Sequence, residues 1–246
     1  MIHRHQTVTV PAGWDVVTIP TAPVSVIVPS FGPPGSHYAA FVPRWWEAIR
    51  RMSPQPAEVV VVHTDPEPLG ILAAAPAGMA VRSVVVPGGT SMAEMVNAGV
   101  RAASQPWCCG VGVDDMLTPD AFVYLERADD LHAEIMLWNH AEENGTVREG
   151  SWRPYRLLRE NTVHGSCPFT VGLWRAVGGF PDVAWSDWGF WLRCAAYGAR
   201  AWKTHHVGVV WDTGEGRPTM TSQANDQAVA EARRQEIHEL IRGLIG

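Results

Sequence analysis

Cys108-Cys109-Gly110-Val111-Gly112-Val113-Asp114-Asp115 is the stretch on which the fold turns: a short apolar run that ends abruptly on two adjacent carboxylates. A run this short and apolar reads as a strand, Cys108 to Val113, buried on both faces of a sheet. Working back from it, Met92, Met95, Val96 and Val100 recur at three- and four-residue spacing and predict an amphipathic helix, entered through Pro87-Gly88-Gly89-Thr90-Ser91. Before that come a strand at Val81 to Val86 and another at Glu58 to His63. A helix is predicted over His37 to Met52, closed by Ser53-Pro54 and opened by the turn-rich Ser30 to Ser36. The first strand is Val24-Ser25-Val26-Ile27-Val28-Pro29, a β-branched run stopped by proline. Strand and helix alternate, which predicts an α/β fold with a mainly parallel, doubly wound sheet whose functional residues sit at the carboxyl ends of the strands.

Past the acid pair the rhythm changes. Glu134 to His140, a loop at Asn144-Gly145 and Thr146 to Glu149 predict a hairpin, so the C-terminal half is mixed. Pro119 reads as the opening of a helix. Further on come a helix from Arg175, Gly178-Gly179, a Trp-rich helix over Asp187 to Tyr197, two short strands across Ala201 to Trp211, and a charged helix from about Gln223. With no repeat or low-complexity tract, residues 1–246 read as one domain. Its parts are an N-terminal extension over 1–23, a half over 24–120, a second half over 121–222, and a C-terminal helix over 223–246.

The 246 residues, 46% hydrophobic and 18% charged, suffice for one sizeable core. The net charge of -6 gives no general attraction to polyanions, and no apolar run approaches the roughly 20 residues of a membrane helix. The N-terminus carries no apolar leader segment, so the expected location is cytoplasmic. Cys108, Cys109, Cys167 and Cys194 match no zinc spacing and read as buried small apolar residues. His205-His206 reads as surface-and-core alternation. Of the 12 tryptophans, most are expected in the core, with one or two free to stack on a sugar or base.

Two adjacent acids at a strand end repel each other and fit a site for a hard divalent ion held jointly with phosphate oxygens. The competing reading has them cap the next helix. Read with its surroundings, the chain from Val24 to Arg193 resembles the family-two glycosyltransferases, inverting enzymes with the GT-A fold. Val26-Ile27-Val28-Pro29-Ser30 matches their first strand, and Asn97-Ala98-Gly99 their Asn-x-Gly helix. Asp115 and Pro119 keep the distance from their DxD element to a following proline. Gly178-Gly179-Phe180-Pro181-Asp182 and then Ser186-Asp187-Trp188 through Arg193 match their late motif.

The resemblance implies a GT-A-like domain in which 24–120 binds a nucleotide sugar and 121–222 the acceptor. It implies donor contacts at Pro29, Ser30, Asp65, Ser91, Asn97, Asp114 and Asp115, with Mn2+ or Mg2+ on Asp114. Asp187 is implied as the catalytic base, although Ser186-Asp187 also suits a helix cap. Departures fall where the family has acids: His63-Thr64-Asp65 follows the second strand, Gly112 replaces the first acid of DxD, and Ser186 precedes Asp187. A UDP-linked donor is expected. The acceptor loop, 150–168, is basic and aromatic, with Trp152, Arg153, Tyr155, Arg156, Arg159 and His164, joined by Trp188. A saccharide or small polyol is the expected acceptor, with a hydroxylated base in phage DNA as the alternative. Two other classes stand beside these: a nucleotidyltransferase, for which the Gly-rich signature with lysine is missing, and a non-catalytic sugar-nucleotide-binding module.

Overall fold

The computed structural model describes residues 5–7, 18–32, 36–213 and 227–245. Strand β1 (His5–Thr7) pairs antiparallel with the start of β2 (Thr18–Ser30). The first long strand therefore begins at Thr18 rather than Val24, and part of the expected extension is sheet. A 3-10 turn (His37–Phe41) leads into α1 (Val42–Arg51), which opens on Pro43, whose missing N–H costs nothing in a first turn. Then follow β3 (Gln55–His63), β4 (Val81–Val85), α2 (Met92–Ala102) and β5 (Trp107–Gly110). The Ser91 side chain caps α2 by accepting from the Glu94 N–H.

The second half holds β6 (Met116–Leu117), α3 (Leu125–Asp130), β7 (Ile135–Glu142), β8 (Val147–Arg148), α4 (Pro154–Leu157), β9 (Phe169–Thr170) and α5 (Val171–Ala176). It ends with α6 (Ser186–Tyr197), β10 (Ala201–Trp211) and α7 (Gln227–Ile245). The expected hairpin is β7 and β8, paired antiparallel at His140–Arg148 and Ala141–Val147. The helix expected from Pro119 is a run of turns before the short α3. Ala201 to Trp211 forms one strand instead of two, because register shifts around Val207 absorb the irregularity while the pairing to β7 continues. The start of the C-terminal helix near Gln223 lies outside the described residues.

The sheet order is β4-β3-β2-β5-β9-β7-β10-β6. Strands β4, β3, β2 and β5 are mutually parallel, and β10 is parallel to β7. The short β9 is antiparallel to both β5 and β7. It therefore turns the two parallel blocks to the same direction, and all their carboxyl ends emerge on one edge. Val26, Ile27, Val28 and Val59 to Val62 are wholly inaccessible, which is why β2 and β3 read as unbroken β-branched runs rather than as alternation. Each such side chain contributes about 1.5–3 kcal/mol on burial. Helix α2 lies close against them because Gly99 has no side chain: a Cβ there would collide with Ile27 and press on Val62. All four cysteines are buried and unbridged. No helix among the described residues is long and apolar enough to cross a membrane.

Candidate active site

Two adjoining cavities open along the carboxyl edge of the sheet. The smaller, about 820 Å³, lies beyond β2, β3 and β4 and is lined by Ser30, Phe31, Thr64, Asp65, Ser91 and the Gly88-Gly89 turn, among others. Here the expectations for Ser30, Asp65 and Ser91 converge on one wall. The Ser30 hydroxyl is already engaged, donating to Glu67. Glu67 also accepts the N–H groups of Leu69, Gly70 and Leu72 at 2.8, 3.1 and 3.2 Å, tying the loop after β3 to the end of β2. His63 is buried and spent on the protein: one ring nitrogen donates to the Thr64 carbonyl oxygen at 2.7 Å, and the other lies 2.7 Å from Ser83 Oγ.

The larger cavity, about 1000 Å³, reaches from Pro29 and the end of β5 across to β7, β10 and the start of α6. Asp115 lines it. Asp114 does not: its carboxylate folds back so that a Cβ on Gly112 would lie only 2.5 Å from Oδ1, and it fills the space where a longer residue at 112 would stand. Of the two adjacent acids, Asp115 is the one that lines the cavity. Asp115 Oδ1 accepts from the Asp212 N–H at 3.2 Å. Burial, then the charges of Asp114 and Asp212, raises its pKa well above the ordinary aspartate range.

Arg44 stands beside this cluster. Arg44 Nη2 is 3.6 Å from Asp212 and donates to the Asp114 carbonyl at 3.4 Å, while Nη1 reaches Glu143 at 3.2 Å. Carboxylates gathered at a strand end fit a divalent cation held by one or two of them together with phosphate oxygens. Among the described residues no three His, Cys, Asp or Glu side chains form a ready-made cage, so the protein donors fit a shared site rather than a closed one. Asp212 and Arg44 were missed from the sequence. The position of Asp212, just past the apolar Val209-Val210-Trp211 and at the end of a strand, repeats the signal that singled out Asp114.

Asp187 lines the same cavity, in the first turn of α6. The residue at the cap position is Trp185, which makes no side-chain cap bond. Asp187 receives the backbone N–H groups of Trp188 and of itself, and Asn161 Nδ2 at 2.8 Å. Burial nonetheless raises its pKa, with those bonds pulling the other way. Of the expected acceptor loop, only Arg156 and His164 line this cavity together with Ser151 and residues 160–166. Trp152 packs against the core, while Arg153 and Tyr155 are exposed outside both cavities. Trp188 is buried, with its indole N–H donated to the Leu157 carbonyl at 2.6 Å, because α6 must seat on α4.

Asn97, expected at the donor, is engaged within the protein. Its Nδ2 donates to the Phe180 carbonyl at 2.9 Å, and its Oδ1 accepts from Phe180 N–H and Trp174 Nε1, both at 2.9 Å. These bonds hold the loop joining α5 to α6. The loop needs Gly178 and Gly179, at φ 77 and 74°, and Arg193 clamps it by donating to both carbonyls at 3.2 and 3.1 Å. The late motif is therefore a structural clasp that delivers the start of α6 to the cavity.

The mostly parallel sheet with its antiparallel insertion matches the GT-A-like fold of the solved structures to which the chain is similar. Among solved structures, the chain is similar to S. aureus TarS 1-349 in complex with UDP-GlcNAc, with TM-score 0.63 and 14% identity over 90% of this chain and 71% of that one. It is similar also to the mannosyltransferase PcManGT from Pyrobaculum calidifontis in complex with GDP-Man and Mn2+, with TM-score 0.57 and 22% identity over 76% of this chain and 56% of that one. A longer S. aureus TarS structure is covered over 42% of its length. At these identities the likeness is one of fold. No family model matches the sequence, and no curated protein matches it significantly.

Proposed function

We propose that this chain is an inverting glycosyltransferase that moves a sugar from a nucleotide diphosphate, UDP-linked in the first instance, onto an acceptor hydroxyl of a saccharide or small polyol. The observation that carries the reading is that Asp115 and Asp187 line one cavity, and that this cavity adjoins a second large enough to admit a nucleoside. The fold neighbours crystallised with UDP-GlcNAc and with GDP-Man and Mn2+ support a nucleotide-sugar donor and a divalent ion.

In this reading the nucleoside occupies the smaller cavity against Asp65 and Ser91, and the diphosphate crosses the ends of β2 and β5 toward Asp115. Mn2+ or Mg2+, held by Asp115 with Asp114 and Asp212 beside it, would neutralise the charge that develops on the departing diphosphate. Asp187 faces the sugar from the opposite side. Its carboxylate takes the acceptor hydroxyl proton as that oxygen bonds to the anomeric carbon and the bond to the diphosphate oxygen breaks. In-line attack from that side inverts the anomeric centre. Asn161 and the α6 backbone fix the carboxylate for this task, while burial makes it a stronger base than a solvated aspartate.

The test is nucleoside diphosphate release from UDP-GlcNAc and GDP-mannose, with a panel of sugar and polyol acceptors, in Mn2+ and in EDTA. The expected result is acceptor-stimulated release that requires the metal. Absence of release from every donor would defeat the enzyme reading, and binding without turnover would point to a non-catalytic module.

A further inference from the structure

We infer that His140, His164 and Trp211 form a sugar-ring subsite in the larger cavity, a three-sided aromatic box that takes a neutral pyranose. The inference deepens the glycosyl-transfer reading and rests on it for the reaction, though not for the binding. The three side chains come from β7, from the loop before β9 and from the end of β10, and all line the cavity that also contains Asp115 and Asp187. Ring centroids are 4.7 Å apart for His140–His164, 5.9 Å for His140–Trp211 and 6.3 Å for His164–Trp211, with planes inclined at 43, 75 and 68°. Tilted rings at these separations make a concave aromatic corner rather than a closed stack.

Hydrogen bonding sets the polarity of the box. The Ser166 N–H donates to His164 Nδ1 at 3.2 Å, so the neutral imidazole carries its proton on Nε2. That donor has no acceptor among the described residues. His140 Nδ1 is enclosed without any partner, and such orphaned polar atoms in folded proteins are few and call for a functional explanation. Enclosure, reinforced by His140, pushes the His164 pKa down to about 3, and burial with the charge of Arg148 lowers that of His140. The box is therefore uncharged at neutral pH, with aromatic faces for the C–H face of a ring and nitrogen atoms for its hydroxyl edge.

The surrounding charge selects against a polyanion. Of the arginines lining the cavity, Arg148 is paired with Glu142 and Arg156 with Glu160. Lys203 matches Glu149 at 3.3 Å. Asp115 and Asp187 remain as acids, so a phosphodiester strand would meet net negative charge where a neutral ring meets none. A pyranose reaches this corner either as the sugar of the donor or as the acceptor.

The test uses calorimetry and saturation-transfer NMR on the full chain with Mn2+, and with UDP, UDP-GlcNAc, GDP, GDP-mannose, methyl glucoside and methyl mannoside as probes. Wild type, His164→Ala, Trp211→Ala and Trp211→Phe are compared, each checked by thermal melting. If the box holds the donor sugar, the alanine variants lose about tenfold of the affinity that a sugar nucleotide has beyond its bare diphosphate. If it holds an acceptor sugar, they lose about tenfold for the methyl pyranosides instead. Trp211→Phe, which keeps an aromatic face, retains most of either. Unchanged binding of both kinds in folded variants overturns the box, as does a wild type that binds no pyranose in any form, or a single-stranded oligodeoxynucleotide that displaces the methyl pyranosides. Since Trp211 ends a strand at the surface of the cavity, its alanine variant keeps the test decisive if His164→Ala does not fold. A wild type that binds methyl pyranosides but no nucleotide sugar defeats the transfer reading and leaves the box standing. One that binds nucleotide sugars, with neither these nor the methyl pyranosides responding to the substitutions, does the reverse.

Discussion

Asp187 serves two demands with one carboxylate. It satisfies N–H groups of the first turn of α6, where negative charge suits the helix dipole, and it faces the cavity as the proposed base. Asp187→Asn keeps the size of the side chain, so the expected outcome is a kcat lower by about 10²–10⁴-fold with donor KM little changed. Steady-state kinetics beside a melting curve checks this, and a variant transferring at close to the original rate would leave Asp187 purely structural. Because burial raises the Asp187 pKa, the base is protonated at a higher pH than a solvated aspartate. Transfer should therefore fail as pH falls through that raised value. Asn161→Ala removes a bond that favours the charged form and should move the acid limb of the kcat profile to still higher pH, and a limb left in place would count against a proton acceptor here. The acid pair makes the third expectation at this scale. Mn2+ should strengthen UDP binding by titration calorimetry, and Asp115→Asn should abolish that dependence more fully than Asp114→Asn. Equal affinity in Mn2+ and EDTA would remove the metal from the mechanism.

At the scale of elements, the loop from α5 to α6 decides whether Asp187 arrives at all. A Cβ at Gly179 would stand 2.7 Å from Asn97 Oδ1 and 3.0 Å from Trp174 Nε1, on a backbone at φ 74°. Gly179→Ala is thus expected to cost about 2 kcal/mol or more in urea denaturation, from left-handed strain together with the overlap. Asn97→Ala leaves the Phe180 and Trp174 N–H groups without their acceptor and should cost about 1–3 kcal/mol. The folded fraction should bind UDP with unaltered affinity. A specific loss of UDP affinity at wild-type stability would return Asn97 to the donor site. The motif was visible in the sequence, but its contacts were not: an asparagine on one helix looks like a ligand contact until its hydrogen bonds to Phe180, just after the glycine pair some 80 residues later, are seen.

At the scale of the whole molecule, a donor lying over the carboxyl edge should protect the backbone of residues 87–97 and 110–115 against hydrogen exchange while leaving α7 unchanged. Protection confined to α7 would contradict the placement of both cavities. The order of strands and helices up to Val113 was legible in the chain alone, because a strand buried on both faces, such as β3 at Val59 to Val62, is written as a contiguous β-branched run. The helix periodicity of Met92 to Val100 is equally local. The pair Asp114-Asp115 was legible for the same reason, since charge after an apolar run marks a strand end, although Asp212, which follows the same pattern, was missed. Beyond local pattern the chain was silent. That Asp115 rather than Asp114 faces the cavity depends on how the loop folds over Gly112. That Ser30 meets Glu67, Asp115 meets Asp212 and Asp187 meets Asn161 depends on contacts between segments 26 to 97 residues apart. The aromatic corner of His140, His164 and Trp211 exists only where β7, the loop before β9 and the end of β10 converge. Sequence determined which segments bury and which acids end strands, because those follow from the hydrophobicity of neighbours along the chain. Tertiary structure alone decided which polar groups are spent on one another and which remain free for a ligand, because hydrogen bonding is settled by neighbours in space.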